Sequence, residues 1–256
     1  MIELPLMTLI TSLLTIGVRI TGLMLFAPFF GSAVIPARIK AIFVFATTLL
    51  LFPTVGHRID PHVLSNWPML VFTEFLIGAG IGIATNIVFE GIQLTGQLLG
   101  VQMGYSLINI LDPQTQVDTT VVAAFYQSIV MLLFLQMNVH LWLLAALGKS
   151  FSYLPPGSGH LNAIFTTAVV KTVGEIFGLG VQIAAPVLAA TLAADVVLGI
   201  LGKASPQMPL IVLGPAVKSL LGITILIATL KYWPDLFRRL FTDAVASGEP
   251  LFHLAS

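Results

Sequence analysis

Seven ionisable side chains lie inside long apolar stretches of this 256-residue sequence, where acids and bases could relay protons or ions. A relay needs its groups on one face, but Glu74 and Glu90 lie about 160° apart around a helix. Lys171 and Glu175 are four residues apart and can pair on one helix face. We therefore expect structural pairing instead of a relay. The predicted buried polar interface comprises Arg19, Glu74, Glu90, Asn138, His140, Lys171, Glu175, Asp195 and Lys218.

The sequence carries none of the usual catalytic or metal-binding patterns. It has no P-loop, no H-E-x-x-H, no G-x-S-x-G and no G-x-G-x-x-G, and its five histidines are scattered. Without cysteine, disulfides, thiolate metal sites and cysteine nucleophiles are excluded. Asp112 and Asp118 could suggest a metal-dependent lipid transferase, but Asp112-Pro113 is more typical of a turn. We expect no enzymatic activity, no cofactor and no metal.

The composition indicates a membrane protein. Hydrophobic residues make up 57% of the chain and charged residues only 9%, against roughly a quarter charged in soluble domains. A net charge of zero excludes the basic surface of a nucleic-acid binder. A charge buried in lipid costs about 2.5 to 3.5 kcal/mol on insertion scales, which neighbouring Leu, Ile, Phe and Val residues offset.

Six apolar blocks follow one another without a shift in composition, so we expect one integral domain over residues 1–256. The third block would form a helix of about 58 Å, roughly twice the thickness of a bilayer core, and Pro186 is a plausible kink in the fifth. The predicted fold class is an all-α, polytopic, hydrophobic helical membrane protein with long kinked helices. The blocks cover about 4–30, 41–52, 67–105, 119–148, 163–201 and 210–240.

Glycines repeat every four residues in the third block, at Gly96, Gly100 and Gly104. Small residues at this spacing allow two helices to approach closely. The pattern predicts close helix packing, and it does not distinguish packing within the chain from packing against another subunit. The same spacing recurs at Gly78 and Gly82 and at Gly174 and Gly178.

The segment after these glycines must leave the helical conformation, because Pro113 lacks an amide donor and disfavours α geometry at Asp112. Irregular backbone between two apolar helices is tolerated where protein or water satisfies its polar groups. The segment therefore indicates a cavity or channel, with a plain surface loop outside the membrane as the alternative.

The order and spacing of several further residues form one pattern along the whole chain. The central run from Gly96 to Gly104, followed by Asn109 and Asp112-Pro113, is its most specific part. This pattern resembles the FliR family of export-gate subunits in flagellar and injectisome type III secretion. The flanking matches are Arg19, Pro28, Gly31, Pro36, Lys40, Phe134-Leu135, Asn138, His140, Leu154-Pro155, Ser205-Pro206-Gln207, Gly214, Pro215 and Lys218.

The resemblance implies a non-enzymatic subunit of the export gate, which passes unfolded flagellar proteins across the bacterial inner membrane at the flagellar basal body. It implies assembly with FliP-type and FliQ-type subunits into a helical hetero-oligomeric pore complex, with FlhB, FlhA, export substrates and membrane lipid as further partners. The glycine series would pack beside the pore. The family's plug or constriction loop would correspond to Tyr105, Ser106, Leu107, Ile108, Asn109, Asp112, Pro113 and Gln116.

Three alternatives remain at this stage. An injectisome counterpart of the same family would use the same residues for a different export system. A small secondary transporter would need a midplane site built from broken helices, often within internal repeats, and no convincing repeat is present. A membrane enzyme would need a catalytic constellation.

Overall fold

The computed structural model describes residues 3–55, 67–105, 120–157, 163–207 and 209–254, and the regular structure in these ranges is α-helical. The predicted all-α fold class is confirmed. The described part contains eight helices: α1 (Glu3–Phe26), α2 (Ala37–Val55), α3 (Trp67–Gln102), α4 (Val121–Gln136), α5 (Val139–Tyr153), α6 (Ala163–Ala204), α7 (Leu210–Leu230) and α8 (Trp233–Leu254).

Two of the six apolar blocks each form two helices. The block predicted at 119–148 is divided between α4 and α5, whose axes are bent by 62°. Asn138 lies at this break with a φ of 57°, in the left-handed region that Asn adopts more readily than most residues. The block at 210–240 forms α7 and α8, separated at Lys231 and Tyr232. Hydropathy alone did not reveal either division, because apolar residues continue on both sides of each break.

The chain is a polytopic helical membrane protein. Five helices, α1, α2, α3, α6 and α7, are long and apolar enough to cross a membrane, and the bent α4–α5 pair would add a sixth if it forms one span. α3 continues for 36 residues, or about 54 Å, and α6 for 42 residues with Pro186 inside it. Both helices exceed the length that a straight crossing requires.

The helices differ strongly in how much of their surface the chain itself covers. About 72% of α3 is buried, against 11% of α2 and 17% of the apolar part of α6. Lipid or other proteins must therefore cover the outer faces of α2, α6 and α7, because large apolar side chains line them. Examples are Ile42, Leu50, Val196, Ile200, Leu220 and Ile227.

The chain forms two compact units, each with its own apolar interior. The first comprises Met1–Val88, Phe134–Gly174 and Leu240–Ser256, and the second comprises Phe89–Leu133 and Glu175–Arg239. In the first unit the buried side chains include Ile16, Ile20, Leu23, Leu143 and Phe151, and in the second they include Ile92, Leu99, Ala123, Tyr126 and Val130.

Candidate functional site

The first unit contains an unusually close approach of α1 to α3. A Cβ atom added to Gly78 would collide with the carbonyl oxygen of Arg19, and one added to Gly22 would collide with that of Phe75. The two backbones can touch only because neither glycine carries a side chain. This contact brings Arg19 opposite Glu74, which lies one helical turn before Gly78.

Arg19 and Glu74 form an ion pair that is closed off from solvent. The Arg19 Nε donates to Glu74 Oε2 at 2.6 Å, and the two side chains are 0% and 1% exposed. The guanidinium carbon also lies 4.2 Å from the centre of the Phe151 ring, within the range of a cation–π interaction. The charge that the sequence places inside α1 is therefore neutralised within the protein.

The same pair holds the backbone of the turn that follows α5. Arg19 Nη1 donates to the Leu154 carbonyl at 3.0 Å and to Ser150 Oγ at 3.2 Å. Glu74 Oε1 accepts the Gly157 N–H at 2.8 Å. Gly157 has a φ of 90°, which glycine adopts without strain. We call these five residues, Arg19, Glu74, Ser150, Leu154 and Gly157, the arginine network.

The hydrogen bonds of the arginine network indicate a structural role and not a catalytic one. Both Glu74 carboxylate oxygens accept hydrogen bonds from protein donors, and Arg19 Nη2 is the one guanidinium nitrogen without a partner. Glu90, the second glutamate of α3, is exposed. Within the described ranges no three His, Asp or Glu residues lie close enough to hold a metal ion.

In the second unit, two glycines near the end of α3 and Gly104, two residues beyond that helix, face close neighbours. A Cβ atom on Gly96 would collide with the Ala123 backbone, and one on Gly100 would collide with the Thr120 side chain. Gly104 has a φ of 88°, and its added Cβ would lie 2.8 Å from the Pro215 Cβ. Within this chain, therefore, the glycine face of α3 meets the beginning of α4, and Gly104 in the turn after α3 meets the N-terminal part of α7. Its packing against other subunits stays a prediction.

A polar cluster ties the C-terminal end of α3 to α6 and α7. Asp195 Oδ2 accepts from Gln102 Nε2 at 2.9 Å, and Asp195 Oδ1 lies 3.0 Å from Lys218 Nζ. Three residues beyond Gln102, the Tyr105 hydroxyl is hydrogen-bonded to Ser219 Oγ at 2.6 Å. The Asp195 and Lys218 side chains are 41% and 18% exposed. We call these five residues, Gln102, Tyr105, Asp195, Lys218 and Ser219, the α3 anchor.

The structure also holds the chain at Thr120, immediately before α4. Thr120 Oγ1 donates to the Gly96 carbonyl at 3.1 Å and accepts the Ala123 N–H at 3.2 Å. The second contact caps the first turn of α4. Tyr105, the first predicted plug residue, and Thr120, which follows the last one, are thus each bonded to a helical residue of the second unit.

The predicted site residues are distributed unevenly between these clusters. Arg19 and Glu74 meet in the arginine network, and Asp195 and Lys218 meet in the α3 anchor. Asn138 is exposed at the α4–α5 break. His140 is half-buried, its Nδ1 has no hydrogen-bond partner among the described residues, and its ring centre lies 6.3 Å from that of Phe134. The side chains of Lys171 and Glu175 lie outside the described part. So do seven plug residues: Ser106, Leu107, Ile108, Asn109, Asp112, Pro113 and Gln116.

Several residues of the two clusters were not singled out from the sequence. Ser150 lies 131 positions from Arg19, and Ser219 lies 114 positions from Tyr105. Contacts at such separations leave no local pattern in the residues. Gly157 does have a signal, since it ends the run Pro155-Pro156-Gly157, which is typical of a turn with a left-handed residue.

Comparison with known proteins identifies the family of this chain. The family model described as Bacterial export proteins, family 1, matches residues 10–244. The Flagellar biosynthetic protein FliR of Escherichia coli K12 is 28% identical over 226 residues, covering 88% of this chain and 86% of the relative. That of Bacillus subtilis 168 is 26% identical over 249 residues, with 96% coverage of each chain. That of Pectobacterium carotovorum is 30% identical over 226 residues, with coverage of 88% and 87%. The chain therefore belongs to the FliR family of bacterial export proteins.

Proposed function

We propose that this chain is a structural, non-enzymatic and pore-forming subunit of the flagellar type III export gate. In this function it lies in the bacterial inner membrane at the flagellar basal body and passes unfolded flagellar proteins. Its relatives carry the name flagellar biosynthetic protein, and its family is one of bacterial export proteins. The observation that carries the proposal is the α3 anchor.

The α3 anchor fixes the chain where the predicted plug begins. A constriction loop that moves during transport needs fixed ends, because otherwise its displacement would unravel the adjoining helices. Tyr105 is held by Ser219, and Thr120 is held by the Gly96 carbonyl. Both bonds tie the ends of the segment to residues of the second unit. These fixed ends support our proposal that the segment obstructs the closed pore and is displaced when a substrate passes.

The uncovered faces of α2, α6 and α7 support assembly with other subunits. Exposed apolar side chains on these helices, such as Ile42, Val196 and Leu220, need lipid or protein against them. We propose that FliP-type and FliQ-type subunits cover part of this surface and that FlhB and FlhA bind the assembled gate. The glycine face of α3 would then pack beside the pore.

Co-purification tests the assembly. The tagged chain is expressed with and without FliP-type and FliQ-type subunits, extracted in mild detergent and examined by intact mass spectrometry. We expect a stable heteromeric particle that contains this chain. A homogeneous particle of this chain alone, unchanged by the other subunits, would contradict the proposal. Stabilisation of such a particle by a small solute would favour a secondary transporter.

A conductance measurement tests the plug. Replacing Ser106–Gln116 by eleven Gly and Ser residues keeps the connection between α3 and α4 but removes the side chains of the segment. We expect the reconstituted complex to leak ions or small solutes more than the unmodified complex does. Intact mass must first establish that the variant complex assembles. Unchanged conductance of a correctly assembled complex would refute the role of the segment as a plug.

A further inference from the structure

An open apolar groove runs along the first two helices of the first unit. It has a volume of about 650 Å³ and is lined by one face of α1 and one face of α2, from Ile10 to Leu25 and from Ala37 to Thr48. Gly17, Ala37 and Ala41 leave room because they have small or no side chains. Along the axis of α1 the groove extends for about 22 Å. We call it the α1–α2 groove.

The inner surface of the groove offers almost no hydrogen-bonding groups. Thr21 Oγ1 donates to the Gly17 carbonyl at 2.7 Å, and Thr48 Oγ1 donates to the Val44 carbonyl at 2.7 Å. Both hydroxyl hydrogens are thus used within their own helices. The remaining lining residues are aliphatic or aromatic, except for Lys40. The occupant of the groove must therefore be apolar along most of its length.

One end of the groove is positively charged and has no acid near it in sequence. Lys40 lines the groove near the beginning of α2 and donates from Nζ to the Gly31 carbonyl at 3.0 Å. Arg38 is exposed two residues earlier, and residues 20–55 contain no Asp or Glu. Within the described ranges neither cation forms an ion pair. The amide groups at the beginning of α2 add partial positive charge at the same end.

We propose that the α1–α2 groove binds an anionic phospholipid, with one acyl chain in the groove and the phosphate beside Lys40. The groove is longer than the roughly 15 Å half-thickness of a bilayer core, so an acyl chain fits along it. A partner helix of the same length and about 10 Å diameter would occupy roughly 1,700 Å³. Such a helix can lie across the groove but cannot enter it. Lys40, which has no ion-pair partner among the described residues, favours an anionic headgroup over a neutral one.

Native mass spectrometry of the full-length chain, and of any complex it forms, tests the lipid site. The detergent-purified protein is incubated with phosphatidylglycerol or with phosphatidylcholine of the same acyl chains, and the retained lipid is counted. We expect tighter retention of phosphatidylglycerol. Neutralising the groove cation in Lys40→Gln should reduce this preference by roughly fivefold. Lys203→Gln removes an exposed lysine in the last turn of α6 and serves as the matched control.

A second variant tests the apolar part of the site independently of the charges. Ala41 is exposed and lines the groove, so Ala41→Phe should fill the groove and weaken retention of both lipids without harming the fold. A photoreactive acyl chain on phosphatidylglycerol should crosslink to peptides from 10–25 and 37–48. Equal retention of both lipids by the unmodified chain, or equal loss in Lys203→Gln, would overturn the proposal. So would displacement of the lipid when FliP-type and FliQ-type subunits bind, because the groove would then belong to a partner helix.

Discussion

Removing the negative charge of Glu74 in the arginine network should destabilise the fold more than neutralising any exposed charged side chain. Glu74→Gln keeps the size of the side chain, and its amide oxygen can still accept the Gly157 N–H that Glu74 Oε1 accepts at 2.8 Å. What it removes is the counter-charge of Arg19, whose side chain is fully buried. A guanidinium cannot lose its proton in a protein, so the variant leaves an uncompensated positive charge.

The expected size of the effect follows from the burial of the pair. Removing one partner of a buried ion pair costs about 3 to 5 kcal/mol. For a chain of this size each kcal/mol lowers the melting temperature by about 2 to 4 °C, so Glu74→Gln should lower it by about 6 to 20 °C. Arg19→Met/Glu74→Gln removes both charges and keeps the acceptor for Gly157. This double variant should recover part of the loss, because the buried charge is gone but the Leu154 carbonyl still lacks the donor that Arg19 supplied.

Thermal unfolding of the purified chain in one mild detergent measures these differences. Glu90→Gln is the matched control, since it makes the same chemical change on the same helix at an exposed position. We expect the control to melt within about 2 °C of the unmodified chain, because exposed ion pairs contribute less than about 1 kcal/mol. The reasoning is refuted if Glu74→Gln melts like the control, or if the double variant is no more stable than Glu74→Gln.

Three further substitutions, with Gly174→Ala as a control for the first, test the helix contacts. Gly78→Ala should lower the melting temperature, because its Cβ would collide with the Arg19 carbonyl. Gly174→Ala should be neutral or slightly stabilising, because no atom lies within 4 Å of its added Cβ. Gly100→Leu should block assembly of the export complex, which intact mass measures, and normal recovery of the complex would count against the packing assigned to that glycine. Asp195→Asn breaks the partly exposed ion pair with Lys218, so it should cost less than about 1 kcal/mol of folding stability. The same variant should raise the ion conductance of the assembled complex. An unchanged conductance would argue against the α3 anchor as the hinge of the plug.

Hydropathy predicted much of the fold because a membrane helix must be apolar over its whole length. The described residues form long apolar helices, among them α3 and α6, as the predicted fold class requires. The break between α4 and α5 was not predicted, since it depends on one backbone conformation at Asn138. A single left-handed residue changes the direction of the chain without changing its hydropathy.

The partners of the intramembrane charges could not be predicted from the sequence. The one pairing that the residues suggested, Lys171 with Glu175, relies on spacing along a single helix. The pairs that the structure describes join different helices, Arg19 with Glu74 and Asp195 with Lys218. Such pairs depend on which helices pack together, and the backbone contact at Gly78 that determines the first pair becomes visible only in three dimensions.

The positions of these pairs explain why a membrane chain retains them despite the cost of insertion. Backbone groups outside a helix need hydrogen-bond partners, and lipid supplies none. Arg19 donates to the Leu154 carbonyl and Glu74 accepts the Gly157 N–H, so the pair satisfies the backbone just where α5 has ended. Asp195, through Gln102, holds the last residue of α3. Each charge pair therefore lies where the chain leaves a helix, and an apolar replacement of the same volume would fill the space but leave those ends unsupported.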